Sequence, residues 1–419
     1  MQITRNNHWR MLIIFGVAHL AIFLCFFAVM AQLFYPAAGE LERNFALQML
    51  DGRMPYRDFA CEYPPLALLS FLVPALLFRT PAAYAFAFAG ELLLFDLVVL
   101  VLIASLASRL NMPVRSALAA YTVLLLAVGP LVVCRYDMLP AMLSLAALWA
   151  FVGRRTGTAW TLIALGVTAK LYPVVLVPLF FIYNVINGEY RRLARGIVFF
   201  LGVLFVVVVP WLVIDAAGFW HSLTYHMERG LHSESTYGTV LLVAQSLGWT
   251  RVEGSLTFGS WNITSPLADV LGGLSFYFVL GFLAAVYGWF GWLVAGWVKE
   301  RSGGGIAGPH YAVRLLLQVA FLAVLVFMLT NKVFSAQYLI WLCPLLPLLG
   351  GQSRYIAWLL FAAAAALTQY VFPYHYIEFE LGNIVPVVML AGRNLLLVAV
   401  VAVILRGKGV FRGVKATEL

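Results

Sequence analysis

Charge is the scarcest property of this sequence. Only 11% of its 419 residues are Asp, Glu, Lys or Arg, against about 25% in a soluble protein. So few charges cannot keep 63% hydrophobic residues solvated, which excludes a soluble multidomain enzyme and a disordered chain. Cysteine is scarce too. The four present are Cys25, Cys61, Cys134 and Cys343, with no C-x-x-C pair, so neither a disulfide scaffold nor a zinc site is expected. Cys25 and Cys343 lie in apolar runs, whereas Cys61 and Cys134 stand where they could meet outside a membrane. No repeat of fixed period and no low-complexity tract is present. A net charge of +9 without a Lys/Arg run and interleaved aromatics excludes nucleic acid as a partner. The basic surplus reads instead as loops held against anionic membrane lipid.

What is abundant is apolar sequence. Runs fall near 11–35, 64–78, 82–107, 116–134, 138–152, 157–169, 173–187, 196–214, 274–298, 315–331, 337–350, 354–371 and 385–405. At about 20 residues per crossing, these imply an all-α polytopic membrane protein. The first run is longer than a secretory signal core and reads as a retained helix. Arg5, Arg10, Arg109, Arg115, Arg154, Arg155, Arg191, Arg192, Arg195, Lys299, Arg301, Arg314, Arg354, Arg406 and Lys408 place both termini and the alternate loops in the cytoplasm. The weak member is 64–78, which is short and opens with Pro64-Pro65. The expectation is 12 spans, within 11 to 13, in one integral domain over residues 1–419, lying in the plasma (inner) membrane.

This topology gathers the remaining polar residues on the extracytoplasmic side. They lie in the first outer loop (36–63), the turns around residues 135–137 and 170–173, the long outer loop (215–273) and the segment from Asn331 to Gln337. Gly39 to Asp51 reads as an interfacial helix, with Leu41, Phe45 and Met49 on one side and Glu40, Asn44 and Gln48 opposite. Gly52 ends it. Gly238 to Leu247 reads as a second interfacial helix. Asn262-Ile263-Thr264 matches a glycosylation sequon, a pattern common by chance.

Several of these places can carry chemistry. Arg57, Asp58 and Glu62 put two carboxylates beside a guanidinium at the mouth of a membrane cavity. A carboxylate there can take a proton from an attacking hydroxyl; a loop-fixing ion pair is the alternative. Arg135-Tyr136-Asp137 interrupts two strongly apolar runs, so its charges face a cavity or lock two helices. Lys170-Leu171-Tyr172-Pro173 sets a lysine at a proline break, with flanks too apolar for easy snorkelling, where its compact charge suits a phosphate. His221, His226, Glu228, Arg229, His232 and Glu234 form a polar stretch without the H-E-x-x-H pattern; Arg229 would repel a cation and suits an anionic, hydroxylated ligand. Lys332 stands near Gln337 at the end of another run. Glu91, Asp96, Arg393 and Asn394 lie inside spans without an assigned role.

Taken together, these phrases resemble glycosyltransferase family 87, an α-mannosyltransferase-like branch of the C-type glycosyltransferase superfamily. The resemblance rests on Met54-Pro55-Tyr56-Arg57-Asp58-Phe59 with Tyr63-Pro64-Pro65-Leu66, on Arg135-Tyr136-Asp137 with Leu139-Pro140, on Thr168 to Pro173, on His226 to Ser235, and on Asn331 to Trp341. It implies the C-type fold, a polyprenyl-phosphate sugar donor, a lipid-linked or glycan acceptor, inversion at the anomeric carbon, and a site facing away from the cytoplasm. Mannose is the sugar it suggests. By the same resemblance Asp58 is the expected base, with Glu62 its rival. Lys170, Lys332, Arg229, Arg135 and His226 are expected at the donor phosphate. Asp137, Tyr172, His232, Glu234, Gln337 and Arg57 are expected at sugar or acceptor hydroxyls. The soluble nucleotide-sugar D-x-D pattern is absent, and this reading requires no cofactor and no metal. The rival function is a transporter or flippase of lipid-linked sugar, but such proteins tend to place charge near the midplane of paired repeats.

Overall fold

The computed structural model describes residues 2–34, 39–302 and 309–406. The C-terminal Lys408, Arg412 and Lys415 and the start of the first outer loop, residues 36–38, lie outside the described residues. Among the described residues, eight helices are long and apolar enough to cross a membrane. The other apolar runs fall on the shorter segments Pro65–Leu77, Met138–Val152, Thr156–Ala169, Tyr172–Ile186 and Ala336–Leu348. The chain is a multi-pass, mostly helical membrane protein. It divides into two compact units.

The first unit takes Met1–Thr122, Gly129–Val177 and Tyr190–Glu228. It contains α1 (Gln2–Phe34), α2 (Glu40–Leu50), α3 (Pro65–Leu77), α4 (Pro81–Arg109), most of α5 (Val114–Val128), α6 (Met138–Val152) and α7 (Thr156–Ala169). Proline opens α3 and α4 at the first helical position, where its missing N–H costs nothing. With 13 residues, α3 is about 20 Å long at 1.5 Å per residue, short of the hydrocarbon thickness.

The α2 helix forms where the sequence pattern puts it. Gly52, at φ 83°, ends it in the left-handed conformation that glycine adopts freely. Its buried face is not the side formed by Leu41, Phe45 and Met49. Leu41 is exposed, while Glu42, Phe45 and Ala46 are buried and the helix packs on α3. An acid therefore occupies the inner face, a position that hydrophobic periodicity alone cannot assign.

The helix that completes this unit in sequence runs from Tyr190 to Glu228 and breaks at Asp215 (φ −158°, ψ 98°). The Asp215 carboxylate accepts the Gly218 N–H at 2.9 Å and so restarts the helix as an N-cap does. A Cβ on Gly218 would stand 1.9 Å from the Tyr56 carbonyl oxygen, which ties the first outer loop to this helix. A Gly218→Ala variant is expected to lose about 3 kcal/mol or more through overpacking. Thermal unfolding in detergent checks this, and an unchanged midpoint would show that the two segments separate freely.

The second unit takes Val123–Val128, Pro178–Glu189 and Arg229–Leu419. Numbering the two helices that follow α7 as α8 (Val177–Ile186) and α9 (Tyr190–Glu228), it contains most of α8, then α10 (Thr236–Ser246), α11 (Pro266–Ser302), α12 (Pro309–Thr330), α13 (Ser353–Gln369), α14 (Tyr376–Glu380) and α15 (Ile384–Arg406). The Ser235 hydroxyl caps α10 by accepting the Gly238 N–H at 3.0 Å. The α11 helix begins at Pro266, within the segment read as the long outer loop.

That loop also holds an unforeseen antiparallel sheet of β1 (Leu231–His232), β2 (Glu253–Thr257) and β3 (Ser260–Thr264), in the order β1-β3-β2. Its hairpin turns at Phe258 (φ 53°) and Gly259 (φ 63°), a two-residue turn with both φ positive. The Asn262 side chain is buried in β3 and donates to the Thr257 carbonyl at 2.7 Å, so this residue is structural and not an exposed glycan acceptor.

Candidate active site

In the first unit, α6 and α7 form an adjacent pair joined by Gly153–Arg155. The N-terminal end of α6 and the C-terminal end of α7 therefore lie side by side. A 3-10 turn at Gly129–Val133 breaks the chain before α6, and Lys170 is extended after α7 (φ −158°, ψ 141°). The breaks turn the side chains of Arg135-Tyr136-Asp137 and Lys170 out of their helices. Lys170 Nζ donates to Asp137 Oδ1 at 2.6 Å and stands 4.5 Å from the centre of the Tyr136 ring. Asp137 is 1% exposed on its side chain and Lys170 17%. Tyr172 is buried and accepts a hydrogen bond from Ser144 at 3.2 Å.

One member of this cluster was missed in the sequence. Glu42 projects from α2 among the same charges. It is 2% exposed, and its Oε1 has no hydrogen-bond partner among the described residues, as is true of Arg135 Nε. Burial pushes the Glu42 carboxyl above its ordinary value, an effect partly offset by the Arg135 charge. Burial likewise lowers Lys170, against the opposing pull of Asp137. The site thus combines two acids and two bases on an aromatic wall in which the Tyr63 ring lies 5.3 Å from Tyr136 and 5.0 Å from Phe71. The signal that could have revealed Glu42 is the acid on an otherwise apolar i, i+3, i+4 stripe with Phe45 and Ala46.

Asp58 sits differently. Its side chain is about one-third exposed and pairs with Arg57 at 2.9 Å. It also accepts the Met54 N–H at 2.7 Å, and Arg53 donates to its backbone carbonyl at 2.6 Å. The Arg57 hydrogen bond, then the Met54 N–H, hold its carboxyl down to about 2. Arg57 is half exposed, and Glu62 is partly buried. His226 falls in the last turns of α9; its side chain lies outside the described residues.

The second unit gathers its own set. The His232 N–H donates to the Lys332 carbonyl at 3.0 Å, and Lys332 Nζ donates to the Arg229 carbonyl at 2.6 Å. Arg229 Nε donates to Ser260 at 3.1 Å. Burial, aided by the Arg229 charge, holds His232 down to about 3 and also lowers Lys332. His232 and Glu234 are buried. Gln337 is half buried on the 3-10 segment Ala336–Trp341. The four cysteines are free thiols, and burial pushes both Cys61 and Cys134 up to about 12.

The sequence model of glycosyltransferase family 87 matches residues 62–304, more than half of the chain. The chain belongs to glycosyltransferase family 87. This family member is accordingly a membrane glycosyltransferase. The matched range takes in Tyr63-Pro64-Pro65, the Arg135 and Lys170 segments and the long loop; Glu42, Asp58 and Lys332 lie outside it. A solved structure, ArnT from Cupriavidus metallidurans in the apo state, is similar over 93% of this chain and 76% of its own, at 14% identity and a TM-score of 0.46. No curated relative matches the chain.

Proposed function

We propose that this family 87 enzyme transfers a sugar, mannose in the first instance, from a polyprenyl-phosphate donor to a lipid-linked or glycan acceptor. The reaction takes place on the extracytoplasmic face, with both termini cytoplasmic, and inverts the anomeric carbon. The observation that carries this reading is the buried Glu42 carboxylate, with an unpartnered oxygen, set among Arg135, Asp137 and Lys170.

A single displacement needs one proton acceptor and one stabilised leaving group. Glu42 takes the acceptor hydroxyl's proton as its oxygen bonds to the anomeric carbon. The bond from that carbon to the phosphate oxygen breaks, and the polyprenyl phosphate leaves with the electron pair. Burial raises Glu42 towards the working pH, the range in which general bases are most effective. Arg135 and Lys170 then stabilise the negative charge that grows on the leaving phosphate. Asp58, with Glu62 as its rival, is the base that the family resemblance implies; its contacts with Arg57, Met54 and Arg53 support a part in fixing the loop, and Glu42 is proposed ahead of both. Arg229, Lys332 and His226 remain proposed phosphate partners. Tyr172, His232, Glu234, Gln337, Arg57 and Asp137 remain proposed partners of sugar or acceptor. Nothing in this scheme calls for a metal.

Purified protein in lipid nanodiscs should transfer labelled sugar from polyprenyl-phosphate mannose to a membrane lipid extract, and less well from the glucose or arabinofuranose donor. Absence of transfer from every donor, with movement of the lipid-linked sugar across liposomes, would replace this reading with a flippase.

A further inference from the structure

Tyr63 ends the first outer loop just before α3, and its ring is packed from three sides. The ring centre lies 5.8 Å from Phe45 on α2, 5.0 Å from Phe71 on α3 and 5.3 Å from Tyr136. Phe45 shares the buried face of α2 with Glu42, and Tyr136 stands between Arg135 and Asp137. The ring is therefore held between the segment that carries the proposed base and the segment that carries a proposed phosphate cation. Burial pushes the Tyr63 phenol well above its ordinary value, and the charges of Glu42, Glu62, Arg135 and Asp137 all act on it. The phenol thus keeps its proton and can donate it in a hydrogen bond. Tyr63 is only partly buried. Its carbonyl is bonded, but its hydroxyl makes no hydrogen bond among the described residues.

Tyr56 fixes where this ring stands. The Tyr56 hydroxyl donates to the Tyr63 carbonyl at 2.6 Å. Tyr56 is itself buried and adopts φ 69°, a left-handed conformation that a bulky residue takes only where its surroundings impose it. Here the Tyr56 ring lies edge-on to Trp211 and Phe219, 5.3 Å from each, on either side of the Asp215 break in α9. Its N–H donates to the Phe59 carbonyl at 3.0 Å. A strained tyrosine anchored on α9 therefore holds the backbone of Tyr63.

The unsatisfied groups of this cluster match two reactants. The Tyr63 hydroxyl and Arg135 Nε are donors without a partner among the described residues, and Glu42 Oε1 is an acceptor without one. A phosphate diester offers only acceptors and suits the two donors. An attacking hydroxyl suits the carboxylate oxygen. We propose that Tyr63 is a catalytic residue whose hydroxyl donates, beside Arg135, to the leaving phosphate, and that Tyr56 is the positioning residue that sets it there. The proposal deepens the glycosyl-transfer reading and rests on it. The proton stays on the tyrosine, and the bond that breaks is still the one between the anomeric carbon and the phosphate oxygen. A fixed neutral donor stabilises the charge growing on that oxygen without adding a further cation to the cluster.

Tyr63→Phe removes one hydroxyl and leaves the aromatic wall. In nanodiscs this variant of the full chain is expected to transfer sugar about 100-fold more slowly at an unchanged unfolding midpoint, because no hydrogen bond within the protein is lost. Transfer at the wild-type rate would overturn the proposal. Tyr56→Phe should slow transfer about tenfold by itself. In the Tyr63→Phe background it should cost much less, since misplacing a hydroxyl has no effect once the hydroxyl is gone. An equal cost in both backgrounds would make Tyr56 a loop anchor with no part in placing Tyr63. Equilibrium binding of radiolabelled polyprenyl phosphate, with radiolabelled polyprenol as the control, gives a readout without turnover. Tyr63→Phe should weaken binding of the phosphate about tenfold and leave polyprenol unchanged. Unaltered phosphate binding, or an equal loss for both lipids, would reduce Tyr63 to a part of the apolar wall. If wild type itself transfers no sugar, the glycosyl-transfer reading fails, and the binding comparison still decides whether Tyr63 holds a phosphate.

Discussion

Glu42→Gln is expected to abolish most turnover, by about 100-fold to 10,000-fold, the contribution of a positioned general base. The substitution preserves shape and removes only the proton acceptor. It also removes a buried charge whose Oε1 has no partner among the described residues, so the fold should be retained or slightly stabilised. Circular dichroism and unfolding midpoint would check the fold, and single-turnover transfer would check the chemistry.

The pH profile gives a second test. The base works only when ionised, and burial places its pKa above the ordinary 4.5. Activity should therefore rise with pH through a limb that lies above the usual glutamate range, and this limb should be missing from the residual activity of Glu42→Gln. Asp58→Asn is the informative comparison. Its carboxyl is held down to about 2 by Arg57 and the Met54 N–H, which weakens it as a proton acceptor. That variant should keep turnover within about tenfold. The opposite outcome, a dead Asp58→Asn and an active Glu42→Gln, would return the base to Asp58.

The contrast between these two acids shows what the sequence could and could not reveal. Both lie in the first outer loop, and apolar patterning located that loop and its helix. Which face of α2 is buried depends on what packs against it, and α3, the segment that begins at Pro65, is a tertiary partner. Leu41, on the apolar side of the pattern, is exposed, and Glu42, which the pattern assigned to neither side, is buried. The Asp137–Lys170 pair was within reach, because each interrupts an apolar run and helix breaks at Pro173 and Gly129 project side chains out of the ladder. Their mutual contact was not, because it depends on the antiparallel packing of α6 and α7. The sheet of the long loop was missed for a local reason: its hairpin turn is Phe258-Gly259, which lacks the Asn-Gly or Asp-Gly signal of such turns. His19 illustrates the same limit. It pairs with Asp96 at 2.6 Å, and Tyr121 donates to the same carboxylate at 2.6 Å, so the acid without a basic neighbour in sequence has one from 77 residues away.

Lys170→Met should produce the other large effect, on two measurable quantities. Asp137 would remain buried without the 2.6 Å hydrogen bond from Lys170, and removing one partner of a buried pair costs about 3–5 kcal/mol. The variant should therefore unfold at lower temperature and transfer at least about 100-fold less sugar, since a cation facing the leaving phosphate contributes on the scale of an oxyanion donor. Adding Asp137→Asn separates the two losses. The double variant should recover much of its unfolding midpoint, because the carboxylate that lost its lysine is neutralised as well, yet transfer poorly, because the leaving group still lacks that cation. Recovery of transfer would make Lys170 a helix lock without a role at the phosphate. The wild-type profile supplies a further constraint. Burial lowers the Lys170 pKa below its ordinary 10.5, so its charge is lost earlier as pH rises, just as Glu42 gains its charge later. The bell of kcat/KM against pH is thus expected to be narrower on both sides than for a solvated glutamate and lysine. Its limbs belong to the coupled cluster of Glu42, Arg135, Asp137 and Lys170 rather than to any single residue, so the residual activity of the double variant should lose the alkaline limb and shift the acid one as well.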